Sequence, residues 1–115
     1  MILSKAQILA AQDRPTETVE VPEWGGSVLV ACMTGTDRDH FEANIVTVDG
    51  RANLHDLRAK LAAACIVDES GNRLFSDAEV QALGGKSFSA LDRVVMVAQR
   101  LNKLGDQALE ELKGN

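Results

Sequence analysis

Residues 87–104 read SFSALDRVVMVAQRLNKL, and their spacing decides the fold. Leu91, Val94, Val95, Ala98, Leu101 and Leu104 recur at intervals of three and four, which places them on one stripe of an α-helix. Asp92, Arg93, Gln99, Arg100 and Lys103 mostly fall away from that stripe. Ser89 and Asp92 have the spacing of a capping box, and Gly105 supplies a stop. A helix this apolar must bury its stripe under the remaining segments, so the rest of the chain is read as what covers it.

Working outward, Phe75 to Val80 is a helix start: Ser76 and Glu79 form a capping box, and Phe75 and Val80 stand at the two positions of a hydrophobic staple. Gly84-Gly85 predicts a left-handed cap before the central helix. Asp68 to Arg73 reads as a turn. Before it, Asn53 is the expected cap of a helix in which Leu54, Leu57, Leu61, Cys65 and Ile66 make a second stripe. Ala59, Ala62, Ala63 and Ala64 would let a neighbouring helix come close. Residues 47–53 read as a loop. Thr36 opens a further helix, with Asp37 and Asp39 in its first turn and Phe41 and Ile45 facing inward.

Nearer the N-terminus the period changes to two. Val19 and Val21 alternate with Thr18 and Glu20, Pro22 ends that strand or confines it to an edge, and Gly25-Gly26 reverses the chain into a second strand at 27–33. Trp24 at this turn either plugs the hairpin against the helices or belongs to an exposed patch. Ser4 and Gln7 have capping-box spacing, with Ile8 and Leu9 on one edge of a short helix that ends before Pro15. At the other end, 106–115 reads as a weak final helix with Leu109 and Leu112 on one side. The expected architecture is a single α+β domain over 1–115, mostly helical with five or six helices, and a small antiparallel hairpin packed on them.

Composition narrows the function. Twelve Lys and Arg against seventeen Asp and Glu give a net charge of −5, the wrong balance for counterion release from nucleic acid. Trp24, Phe41, Phe75 and Phe88 are the only aromatics, too few for base stacking. No apolar run has the length of a membrane span, and the first twelve residues lack the basic region and cleavage site of a signal peptide. Cys32 and Cys65 sit among apolar neighbours with no zinc or CxxC spacing, which predicts reduced thiols and a cytoplasmic protein.

Four constellations invite a chemical reading. Asp68, Ser70, Asn72, Ser76 and Glu79 occupy ligand positions of a calcium loop, but Arg73 stands where such a loop needs glycine. GGKS at 84–87 echoes a phosphate-binding loop, but Val80 replaces its first glycine and a helix precedes it. His40 and His55 have no metal-ligand spacing with each other or with the cysteines. No serine elbow, activated cysteine or oxyanion motif is present, so the expectation is a protein without catalytic residues, cofactor or metal. The remaining feature is an apolar strip of Trp24, Leu104, Leu109 and Leu112, which is either core or a partner-binding surface.

Four stretches in fixed order, VEVPEWGG at 19–26, TGTDRDHFEA at 34–43, RLFSDAEVQALGGKS at 73–87 and LDRVVMVAQRLNKL at 91–104, resemble the tail assembly chaperones of phages with long, non-contractile tails. The resemblance implies a non-enzymatic protein of the host cytoplasm that coats the tape-measure protein while tube subunits polymerise around it. A helical client of that kind would suit binding of a helix in a groove, with Met96, Leu101 and Leu104 as its anchors. It also implies absence from the finished virion, and a longer form, made by ribosomal frameshift, that recruits the tail-tube protein. Homo-oligomers are compatible with it. The rival reading is a head–tail or tail completion protein retained in the virion.

Overall fold

The computed structural model describes residues 1–45 and 54–104. Helix α5 (Phe88–Leu101) carries the stripe at its centre: Leu91, Val94, Val95 and Ala98 are buried, Leu101 is half-buried, and Leu104 beyond the helix end is buried too. Strands β1 (Thr16–Val21) and β2 (Gly26–Ala31) form the expected antiparallel hairpin, from Thr16 opposite Ala31 to Val21 opposite Gly26. A 3-10 turn at Pro22–Trp24 makes the reversal, and Gly25 closes it at φ 75°, a conformation that costs glycine little. Pro22 therefore ends β1, which lies at the sheet edge.

A third strand, β3 (Ile66–Val67), pairs antiparallel with the far side of β2 and makes the sheet order β1-β2-β3. Ile66 is thus strand, where the sequence put it at the end of a helical stripe. Two residues are too few to display a period of their own, and these continue the spacing of the helix before them. One sheet face, with Val19, Val21, Val30 and Ile66, packs on the helices. Helix α3 (Leu57–Cys65) lies against α5, and its Ala59, Ala62, Ala63 and Ala64 are all buried, as close helix approach requires. Helix α2 (Gly35–Asn44) contributes Phe41, and with Ile45 just past its end closes the core beside α3.

Several helix ends differ from expectation. Helix α2 is capped by Thr34, whose Oγ1 accepts from the Asp37 amide at 3.0 Å, so Thr36 lies inside it. Helix α5 is capped by Ser87 Oγ, which accepts from the Ala90 amide at 3.2 Å; Ser89 is already within the first turn and the box with Asp92 does not form. Asn53 and residues 47–53 lie outside the described residues. The residue at the N-cap of α3 is Asp56, in a left-handed conformation at φ 54°, and Leu54 precedes the helix on the surface. The capping box of Ser76 and Glu79 forms as read, opening a 3-10 turn at Asp77–Glu79 that runs into α4 (Val80–Gly84). Gly85 is right-handed at φ −77°, so the expected left-handed cap is absent. Gly84 serves close approach instead, since a Cβ there would sit 3.0 Å from Asp56 Oδ1 and 3.5 Å from Ala59 Cβ.

The stop of α5 comes before Gly105, which lies outside the described residues. Lys103 takes the left-handed position at φ 56°, the Leu104 amide donates to the Gln99 carbonyl at 2.7 Å, and the Lys103 amide donates to Arg100 at 3.3 Å. This is the Schellman pair of bonds with lysine where glycine is favoured. Lys103→Gly is expected to raise stability by about 1 kcal/mol, because it relieves the Cβ clash of the left-handed state. A thermal melt that moved downward instead would show that the lysine stem has a packing role.

Candidate partner-binding surface

The strip read from the sequence divides in the structure. Leu104 is 2 % exposed and belongs to the core, so it cannot meet a partner while the fold is closed. Leu101 is half-buried and packs on that core. Met96 stands 63 % exposed on the outer side of α5, between Asp92 and Gln99 on the helix surface. Trp24 is half-buried: it packs on the core and also lines a recess of about 460 Å³ with Glu23, Phe75, Ala82, Leu83 and Lys86. It is therefore both plug and rim. Leu109 and Leu112 lie outside the described residues.

Helix α5 is pinned to the hairpin along the edge beside Met96, where Arg93 and Arg100 stand three residues before and four after it. Arg93 Nε donates to Glu23 Oε1 at 2.9 Å, and Arg100 Nη2 donates to Glu17 Oε1 at 2.6 Å. Arg93 thus ties the helix to the turn of the hairpin and Arg100 ties it to β1. These side chains are substantially exposed, so solvent screens each pair, which mainly fixes the lateral position of the helix. On the α3 side, Phe88 is exposed with the Arg58 guanidinium 4.8 Å from its ring centre, and a shallow recess of about 380 Å³ runs between Leu54, Leu57, Arg58 and Val95. What this surface can do chemically is grip apolar side chains. Met96, Phe88 and the Trp24 recess each offer contact area without a reacting group.

The constellations weighed for chemistry are occupied structurally. Asp68 Oδ1 accepts from the amides of Ser70 and Asn72 at 2.9 and 3.0 Å, which makes the turn. Glu79 Oε1 accepts from the Ser76 amide and hydroxyl at 2.9 and 3.1 Å, which makes the cap. Arg73, in the place of the calcium-loop glycine, donates to the Ala63 carbonyl and to Asp77. Ser87 of the GGKS run is the cap of α5. Among the described residues no three His, Cys, Asp or Glu side chains are grouped as metal ligands would be.

A recess of about 590 Å³ among the described residues is lined mostly by charged and polar residues and lies between α2, α3 and the turn before α4. There His40 Nε2 is 2.5 Å from Asp77 Oδ2, and the Arg73 guanidinium holds the other Asp77 oxygen at 3.0 Å. The hydrogen bond from His40 and then that from Arg73 keep the Asp77 carboxyl below its ordinary range. His40 and Asp77 are half exposed and Arg73 is largely covered, and together they bridge α2 to the segment before α4.

The cysteines are free, as expected, with Cys32 half-buried and Cys65 buried. Burial pushes the Cys65 thiol up to about 12, outweighing the opposing hydrogen bond from Asn102. In the native chain Cys32 is expected to react with a thiol reagent while Cys65 reacts only after denaturation, as counted by mass spectrometry. Because the folded thiol keeps its proton where an unfolded one loses it, stability should fall as pH rises from the ordinary thiol range toward 12. Two fast-reacting thiols in the native chain would contradict this.

One polar residue of consequence was not singled out from the sequence. Asn102, 6 % exposed, accepts from the Met33 amide at 2.8 Å through Oδ1, and donates to the Ala98 carbonyl at 2.8 Å and toward Cys65 Sγ at 3.4 Å through Nδ2. Its own carbonyl accepts from Arg38 Nη1 at 3.0 Å. It therefore joins α2, the segment after β2, α3 and α5. Its one visible signal is an asparagine next to the end of an apolar stripe, which reads equally well as an ordinary helix stop.

No family model matches the sequence, and no curated protein matches it. The fold is that of a phage tail assembly chaperone, the class that the four stretches resembled. The solved structure it matches is that of the bacteriophage HK97 tail assembly chaperone, with a TM-score of 0.60 and 21% identity over 84% of this chain and 94% of that one.

Proposed function

We propose that this chain is a tail assembly chaperone that binds the tape-measure protein and keeps it soluble while the tail tube forms. It acts by binding, without catalysis, in the cytoplasm of the host. The observation that carries this reading is the shared fold over nearly the whole length of the HK97 protein. The exposed Met96 and the Trp24 recess supply apolar grips suited to a long helical client, whose apolar face would lie in a groove. A longer form made by frameshift would bring the tail-tube protein to the same assembly.

Co-expression with the long helical reading frame expected beside it tests the proposal. The client should move from pellet to supernatant and copurify with this chain, and Met96→Glu should weaken that capture without altering the far-UV spectrum. A client that partitions identically with and without this chain would end the reading. Mass spectrometry of purified particles separates the rival: a chaperone is absent from them, whereas a head–tail or tail completion protein is present at fixed stoichiometry.

A further inference from the structure

One cation of this chain stands beside an apolar recess with nothing to balance it. The described arginines are all engaged: Arg38, Arg73, Arg93 and Arg100 by carboxylates, Arg14 by two carbonyls and Arg58 by the Phe88 ring. Lys60 donates to the Asn44 carbonyl at 3.4 Å. Lys5 makes no ion pair among the described residues, but it lies in α1 (Lys5–Ala10), which buries no residue and so frames no apolar floor. Lys86 is exposed, makes no ion pair among the described residues, and borders the Trp24 recess.

The walls of that recess are Trp24, Phe75 and Leu83. All three pack on the core, Leu83 fully and the two aromatics by half, so the walls are in place before anything binds. Its volume of about 460 Å³ falls in the range of ligand-binding clefts. The one carboxylate in its lining, Glu23, already accepts from Arg93 Nε with both oxygens, at 2.9 and 3.2 Å, and leaves Lys86 unanswered. Lys86 directly precedes Ser87, the N-cap of α5, and the first turn of that 14-residue helix carries no acidic residue. The positive end of the helix dipole therefore adds to the lysine. The recess rim is thus cationic on a chain whose net charge is −5. Arg93, which holds Glu23, lies one turn before Met96 on α5, so the ion pair links the recess to the other exposed apolar grip.

We propose that the Trp24 recess is the anchor site for an acidic-apolar helical segment of the client. One Leu, Met or Phe side chain of that segment enters between Trp24, Phe75 and Leu83, and a Glu or Asp one turn away from it meets Lys86 at the head of α5. The same lysine disfavours an anchor flanked by basic residues. This rests on the chaperone reading and adds to it which turns of a long helix are gripped.

Trp24 is the only tryptophan, so its emission reports on the recess directly. The test titrates the full chain at low salt with two synthetic helical peptides of about 20 residues, identical in their leucines and carrying either Glu or Lys one turn from them. The Glu peptide should shift Trp24 emission and bind about 3- to 10-fold more tightly than the Lys peptide. Lys86→Glu should reverse that order and Lys86→Gln should abolish it. Neither change should move the melting temperature, because Lys86 is exposed and unpaired. Absence of binding, equal binding of both peptides, an order that survives Lys86→Glu, or binding that leaves Trp24 emission unchanged overturns the proposal. Co-expression separates its failure from that of the chaperone reading. A client kept soluble equally well by the wild type and by Lys86→Glu removes the anchor and leaves the chaperone. A client never captured, while the Glu peptide still shifts Trp24, removes the chaperone and leaves the recess as a site for acidic-apolar segments.

Discussion

Asn102→Ala is expected to lower stability by ~2–4 kcal/mol. The Met33 amide and the Ala98 carbonyl lose their side-chain partner in a region closed to water. An orphaned buried donor alone costs about 1–3 kcal/mol, and the space left by the amide adds a packing loss. For a domain of this size the melting temperature should fall by roughly 10–20 °C. Asn102→Asp separates shape from chemistry. It keeps an acceptor for Met33 but has no donor while ionised, so it should be worse than alanine at neutral pH and recover as acid protonates it. A change of only a degree or two in both variants would mean that water or a backbone shift satisfies the site.

Leu104→Ala is expected to cost about 2–5 kcal/mol, the range for emptying a large buried aliphatic site. Leu104 is among the largest fully buried side chains, beside Ile45 and Ile66. Met96→Gln, only eight residues earlier, should change stability by no more than ~0.5 kcal/mol because it stands in solvent. Chemical denaturation of the two variants side by side reads the difference. Equal midpoints would show that residues 102–104 are not held as described. The comparison also governs any client-binding assay: loss of capture in Leu104→Ala reports unfolding, whereas loss in Met96→Gln reports the surface.

The parts of the fold legible in the sequence are those where one periodic signal runs long enough to dominate. The stripe of α5 spans four turns, Ala62, Ala63 and Ala64 of α3 are consecutive, and Val19 and Val21 alternate beside a proline and two glycines. What was hidden depends on contacts between distant segments. Ile66 and Val67 become strand because β2 offers them an open edge, and a two-residue pairing has no pattern of its own. Asn102 answers an amide 69 positions away, which no local spacing encodes. The cap assignments slipped by two residues at both Thr34 and Ser87, because serine and threonine recur nearby and packing selects among them. For the binding surface, hydrophobicity identified Trp24 and Met96 but could not sort them from Leu104, since all are apolar and only the closed core distinguishes inside from outside.

The bond from Met33 to Asn102 also bears on vectorial synthesis. The hairpin leaves the ribosome early, but the group that completes its far end is translated some seventy codons later, and Leu104 follows it. Until that late segment has cleared the exit tunnel, the nascent chain holds an unanswered amide and an unfilled cavity. Acquisition of the native state is therefore deferred until position 104 has emerged, and a product terminated before position 102 should be degraded as an unfolded polypeptide.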